Sequence, residues 1–313
     1  MSFAIETENL VKVYGNRGAG VKALNGVNMR VPKGSVYGFF GPNGSGKTTL
    51  ISILVGLLLP TSGSAKILGH DVVRESVEIR KKVGLLPEGF GLYEHMTALE
   101  NLAFLGSLDG IPTDQIRRRA LEVLEIVGLT DKANAKVSAF SRGMNQRLGV
   151  AQALLKDPEL LIFDEPTVGI DPDGAADFRS LVREMNEKGR TVLMSTHLLY
   201  EIGMTCTHAA MIRGGKLLAQ GSVDELSQLD REIRGYTYEI HVTSGGDMLQ
   251  QEIKSLQEVR EVTLSNNKLV VIAKTDIGST LFSLANKGPY RVESLTPINP
   301  SWEDLYQFYQ RRE

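Results

Sequence analysis

Only one of the 313 residues is a cysteine, Cys206, so no disulfide can form within the chain, which fits a reducing compartment. An excess of one charge is missing too: 35 basic residues against 37 acidic ones leave no electrostatic reason to bind nucleic acid. No long hydrophobic run is present. The most apolar stretch, Leu50 to Leu59, is interrupted by Ser52 and Gly56 and stopped by Pro60, far short of the ~18 continuous apolar residues of a spanning helix. The start of the chain carries Glu6 and Glu8, with neither a basic segment nor an apolar core, so no secretory signal is expected and the protein is expected to stay in the cytosol. If it serves a membrane, another chain crosses it. Nothing points to disorder or a fibrous repeat in a composition of 42% hydrophobic and 23% charged residues. The length suits one large domain, or one plus a smaller one.

What is present is an alternation of short apolar runs with amphipathic stretches, the pattern of an α/β protein with a largely parallel sheet under helices. Buried strands are predicted at Val36 to Phe40, Leu160 to Phe163, Val192 to Ser195 and Ala209 to Ile212. Apolar residues recur at helical spacing in Ile116, Ala120, Val123, Leu124 and Val127 before Gly128, and in Phe178, Leu181, Val182 and Met185 before Gly189. From about Phe90 to Asp157 helical patterns occur without a convincing strand, which suggests an inserted helical subdomain. After about Ser227 the texture changes, so residues 1–227 and 228–313 are expected to form separate domains. In the second, a strand from Tyr236 to Val242 leads to a helix with Leu249, Ile253 and Leu256, and then to a hairpin turning at Asn266-Asn267. A helix near Leu281 and a strand around Tyr290 to Leu295 complete a β-α-β-β-α-β order, predicting a small ferredoxin-like α+β domain. A closing helix is signalled by Ser301 as cap with Asp304, and by the apolar face of Trp302, Leu305, Tyr306 and Tyr309.

Three segments carry chemistry. Gly41-Pro42-Asn43-Gly44-Ser45-Gly46-Lys47-Thr48-Thr49 follows a predicted strand and opens a helix, the required context of a phosphate-binding loop. Its glycines let backbone N–H groups approach anionic oxygens, Lys47 reaches the β and γ phosphates of ATP, and Thr48 offers its hydroxyl to Mg²⁺. Asp164 and Glu165 end the second predicted strand. Adjacent residues on an extended chain face opposite ways, so one carboxylate can hold the Mg²⁺ shell while the other addresses an attacking water. Ser141 can cap a helix whose free N–H groups attract phosphate, with Gly143 permitting close approach.

In this order the three segments resemble the ATP-binding cassette of ABC transporters, over Ile5 to about Leu226. The resemblance implies a phosphate-loop core with a β subdomain and an inserted helical subdomain. It places Tyr14 as the aromatic that stacks on adenine, Asp171 in the loop by which two ATPase subunits sense each other, and His197 on the γ-phosphate. It further implies Lys47, Glu165 and His197 as catalytic residues, Asp164 and Thr48 as Mg²⁺ ligands, and partners in a second ATPase subunit, as homodimer or heterodimer, and a multi-spanning permease. The chain would then sit at the cytoplasmic face of the membrane. Glu88 occupies a position where most members have glutamine, and its carboxylate can bind Mg²⁺ or its water. The signature reads Ser141-Arg142-Gly143-Met144, with arginine and methionine in place of a glycine and a glutamine. These departures, with the small C-terminal domain, resemble the branch serving ABC-2-type exporters of drugs, antibiotics, lipids or ions. Two other readings stay open: a cassette ATPase working on ribosomes or DNA, and a regulatory nucleotide-binding module without turnover.

Overall fold

A computed structural model of the protein describes residues 2–15, 20–298 and 302–311. Ser301, the expected cap, lies outside the described residues. Two compact units are present, Met1–Ser222 and Val223–Glu313.

The first unit is built on a six-stranded sheet. Its spatial order is β11 (Lys216–Ser222), β10 (His208–Arg213), β4 (Val36–Phe40), β9 (Thr191–Thr196), β8 (Leu160–Asp164) and β7 (Val83–Leu86). Neighbours from β10 to β7 run parallel, and only β11 is antiparallel. The central strands are apolar at nearly every position because both faces are covered. Successive side chains in β8 alternate between two cores: Leu160 and Ile162 join one with Tyr37, Phe39 and Leu50, while Leu161 and Phe163 join the other with Phe178 and Met194.

A second, antiparallel sheet is formed by β1 (Phe3–Tyr14), β2 (Val21–Val27), β3 (Arg30–Pro32), β5 (Ser62–Ile67) and β6 (His70–Asp71). Register shifts in every pairing of β1 break the period-two pattern, which is why only the family resemblance, and no residue pattern, pointed to this sheet. Strand β7 likewise carries little sequence signal, being four residues long with Gly84 inside it. A Cβ there would lie 2.2 Å from the Ala153 carbonyl oxygen, so the glycine is what lets a helix lie on this strand.

Helix α1 (Lys47–Leu54) follows β4, and α2 (Ser76–Lys82) precedes β7. Between β7 and β8 the described backbone holds helices and loops, joined by a single bridge between Thr97 and Lys136. The long ones are α3 (Ala98–Leu108), α4 (Thr113–Ile126) and α5 (Arg142–Leu154). Thr97 and Glu100 cap α3 reciprocally, each side chain bonding the other's backbone N–H. Helices α6 (Pro172–Glu187) and α7 (Leu199–Thr205) flank β9 in sequence.

In the second unit, α8 (Val223–Arg234) leads into β12 (Tyr236–Ser244), α9 (Gly246–Lys254), β13 (Val259–Ser265), β14 (Lys268–Ala273), α10 (Gly278–Lys287), β15 (Arg291–Ile298) and α11 (Trp302–Arg311). The sheet order β13-β14-β12-β15, antiparallel throughout, is the split β-α-β arrangement of ferredoxin-like folds. Leu249, Ile253 and Leu281 of its helices pack on Tyr238, Ile240, Val242 and Val271. Asn266 and Asn267, at φ 47° and 64°, turn the hairpin in the left-handed conformation that asparagine tolerates. Leu256 lies just past the end of α9 but still packs against this core. No described helix of either unit is long and apolar enough to cross a membrane.

Candidate functional site

The loop from Gly41 to Gly46 is held open by its backbone. Gly41 N–H donates to the Thr196 carbonyl at 3.2 Å, and Ser45 N–H to the Pro42 carbonyl at 3.1 Å. Gly46 starts α1 with φ +110°, and a Cβ on it would sit 2.4 Å from the Ala23 carbonyl oxygen. No other residue fits there. Lys47 is buried, its ammonium donating to the Gly41 carbonyl at 2.6 Å and pairing with Glu165 Oε1 at 3.0 Å. Beside it opens a cavity of about 270 Å³, lined by Asn43, Gly44, Gly46, Lys47, Thr48 and Thr49, by Ala23, and by two acids, Glu88 and Glu165.

Asp164 closes β8 and is buried. Glu165 does not continue the extended chain: its φ is +51°, in the left-handed region. The two carboxylates therefore diverge through a backbone turn rather than through strand alternation. Glu165 Oε2 hydrogen-bonds His197 Nδ1 at 2.8 Å and accepts from His197 N–H at 3.3 Å, so Lys47, Glu165 and His197 form a continuous chain of contacts. Ser195 joins the two acids. Its hydroxyl donates to Asp164 Oδ1 at 2.5 Å and accepts from Glu165 N–H at 3.0 Å. Sequence reasoning passed over Ser195, because a serine inside an apolar strand carries no pattern of its own; its place two residues before His197 was the available signal.

Tyr14 lies at the rim, 45% exposed, with its hydroxyl 3.5 Å from Thr49 Oγ1 and the Lys12 ammonium 5.3 Å from its ring centroid. One ring face thus carries a cation.

Ser141, Gly143 and Asp171 do not line this cavity. Ser141 caps α5, accepting from Met144 N–H at 3.2 Å, and Asp171 caps α6, accepting from Gly174 N–H at 2.8 Å. The two caps are neighbours: Arg142 Nη1 donates to the Gly169 carbonyl at 3.4 Å. A Cβ on Gly143 would meet nothing nearer than Ile170 Cγ2 at 3.9 Å, so the fold itself does not require glycine there.

Comparison with known proteins gives a consistent result. Residues 24–168 match the family described as ABC transporter. The chain is 35% identical over 268 residues to the linearmycin resistance ATP-binding protein LnrL of Bacillus subtilis, covering 85% of this chain and 84% of that one. It is 42% identical to the bacitracin transport ATP-binding protein BcrA of Bacillus licheniformis, over 74% of each chain. The Enterococcus faecalis BcrA is 32% identical and spans 99% of this chain and 96% of its own length. Among solved structures, the dimeric post-hydrolysis state of the ATP-binding cassette MJ0796 with ADP and Pi superposes with a TM-score of 0.63 at 28% identity, covering 70% of this chain and 98% of that one.

Proposed function

The chain belongs to the ATP-binding subunits of ABC transporters, and from that premise we propose that it powers export of an antibiotic or related drug by a separate multi-spanning permease at the cytoplasmic face of the membrane. As a member of that family it is an ATPase. The names of LnrL and BcrA support the cargo class, because both relatives are described by antibiotic resistance or transport and one match runs over nearly the full length of both chains.

The observation that carries the site assignment is the chain of contacts that runs from Lys47 and Glu165, at the wall of the phosphate-loop cavity, to His197 behind them. Lys47 and the loop N–H groups neutralise the β and γ phosphates, and Tyr14 offers the ring face away from Lys12 to adenine. Mg²⁺ fits the donor set. Thr48 and Glu88 line the cavity, and Asp164 has one oxygen fixed by Ser195. Among the described residues no three acids, histidines or cysteines form a metal cage, so the ion would have to complete its shell with waters and phosphate oxygens. When bound, Mg²⁺ would neutralise charge on the phosphates. Glu165 takes the proton of the attacking water and His197 holds Glu165 and the terminal phosphate in register.

Ser141 and Gly143 are assigned to the second subunit's nucleotide, across a dimer of two cassettes, with Asp171 beside them at the same surface. The C-terminal unit is assigned to dimerisation or coupling to the permease.

Lys47→Ala is expected to abolish most ATP binding, and Glu165→Gln to bind ATP while losing nearly all hydrolysis. Radiolabelled ATP binding and phosphate release measure both. Near-normal turnover in either variant would falsify the site assignment.

A further inference from the structure

We propose that Ser195 is the positioning residue that aligns both site acids at once, setting Asp164 for the metal ion and Glu165 for the attacking water. The inference rests on the roles assigned above to those two acids.

Ser195 is fully buried in β9 and so cannot itself meet a nucleotide in this structure. It is the register partner of Asp164, the last pair of the β8–β9 ladder. Beyond that pair the backbones part, because Glu165 turns into the left-handed region at φ +51°. A side chain other than glycine adopts that conformation at a cost, and a buried N–H at the turn needs an acceptor. The Ser195 hydroxyl supplies it at 3.0 Å, extending the ladder by one bond beyond its last register pair. The same oxygen's proton goes to Asp164 Oδ1 at 2.5 Å.

Two consequences follow for the site. Fixing Oδ1 leaves Oδ2 of Asp164 for the metal shell. Holding Glu165 N–H fixes the turn from which its carboxylate spans Lys47, at 3.0 Å, and His197, at 2.8 Å. A hydroxyl donates and accepts simultaneously; alanine does neither, and a thiol of nearly the same size does both only weakly.

The test uses the full chain with Ser195→Ala and Ser195→Cys, alongside Asp164→Asn and Glu165→Gln. A fluorescent ATP analogue is titrated in EDTA and then with Mg²⁺, and turnover is measured at saturating Mg²⁺. Partners behind a metal ligand are worth about tenfold to a hundredfold in metal affinity or activity, so both Ser195 variants should need roughly tenfold more Mg²⁺ for half-saturation and lose at least about tenfold in kcat. Binding without metal and the KM for ATP should stay within about threefold of the parent, since the Ser195 hydroxyl bonds Asp164 and Glu165 and makes no direct bond to Lys47 or the loop. If the Ser195→Ala chain does not fold, Ser195→Cys decides alone. Parent-like Mg²⁺ requirement and kcat in a folded Ser195 variant, with Asp164→Asn and Glu165→Gln inactive, would overturn the inference. Activity in Asp164→Asn and Glu165→Gln would instead overturn the roles of the acids on which it rests.

Discussion

At the scale of single residues, the C-terminal unit offers a clear case of a buried polar contact. The Tyr238 hydroxyl donates to Asp276 Oδ1 at 2.6 Å and accepts from Ile277 N–H at 3.1 Å, tying β12 to the start of α10. Burial, and then the bond to Asp276, push the phenol up to about 12, while that bond and one from Gly278 N–H hold the Asp276 carboxyl below its usual range. The signs are opposite. The carboxyl's contribution is complete above the ordinary aspartate pKa and is lost as pH falls through its depressed folded value; the phenol's is complete below the ordinary tyrosine pKa and is lost as pH rises through about 12. Tyr238→Phe is expected to cost about 1 to 3 kcal/mol at neutral pH, because Ile277 N–H is left buried without its acceptor. Urea denaturation across pH should also show a flatter acid limb in the variant. The legibility of the site divides at this scale too. The phosphate loop was readable because its backbone admits only glycine at positions such as Gly46. Ser195 was not, because what makes it matter is the register that sets it beside Asp164, a property of two strands rather than of one residue.

At the scale of elements, Gly84 in β7 governs how closely α5 approaches the sheet. Gly84→Ala would drive a methyl group against the Ala153 carbonyl and the Leu161 side chain, with expected destabilisation of about 1 to 3 kcal/mol by urea denaturation. Thr97→Ala, which removes only the capping box of α3, should cost about 1 kcal/mol. The ordering of these two losses tests whether backbone proximity outweighs capping in the helical insert. Elements were legible in the sequence where one physical rule dominated. The buried parallel strands showed as unbroken apolar runs, and the Asn266-Asn267 hairpin showed through its turn residues. Strand β1 hid because its bulges scramble the alternation, and Glu165 left the strand geometry expected of it because the chain turns left-handed there.

At the scale of the whole molecule, every residue assigned to ATP lies in Met1–Ser222, and Val223–Glu313 has its own core. A chain ending at Ser222 is therefore expected to bind ATP with near-parental affinity while losing dimer stability or permease coupling, as measured by equilibrium dialysis and analytical ultracentrifugation. Loss of ATP binding in a folded truncated chain would contradict that division of labour. The pairing of Lys47 with Glu165 has one more consequence, which concerns timing. Each of these groups is the other's counter-ion, so the proposed base and the proposed phosphate-binding cation are held by one contact. On the roles proposed above, a terminal phosphate at Lys47 is expected to exchange one anion for another and to release the carboxylate in the same movement. On those roles the site would work as an interlock, in which the tool that cuts is unlocked only by the workpiece.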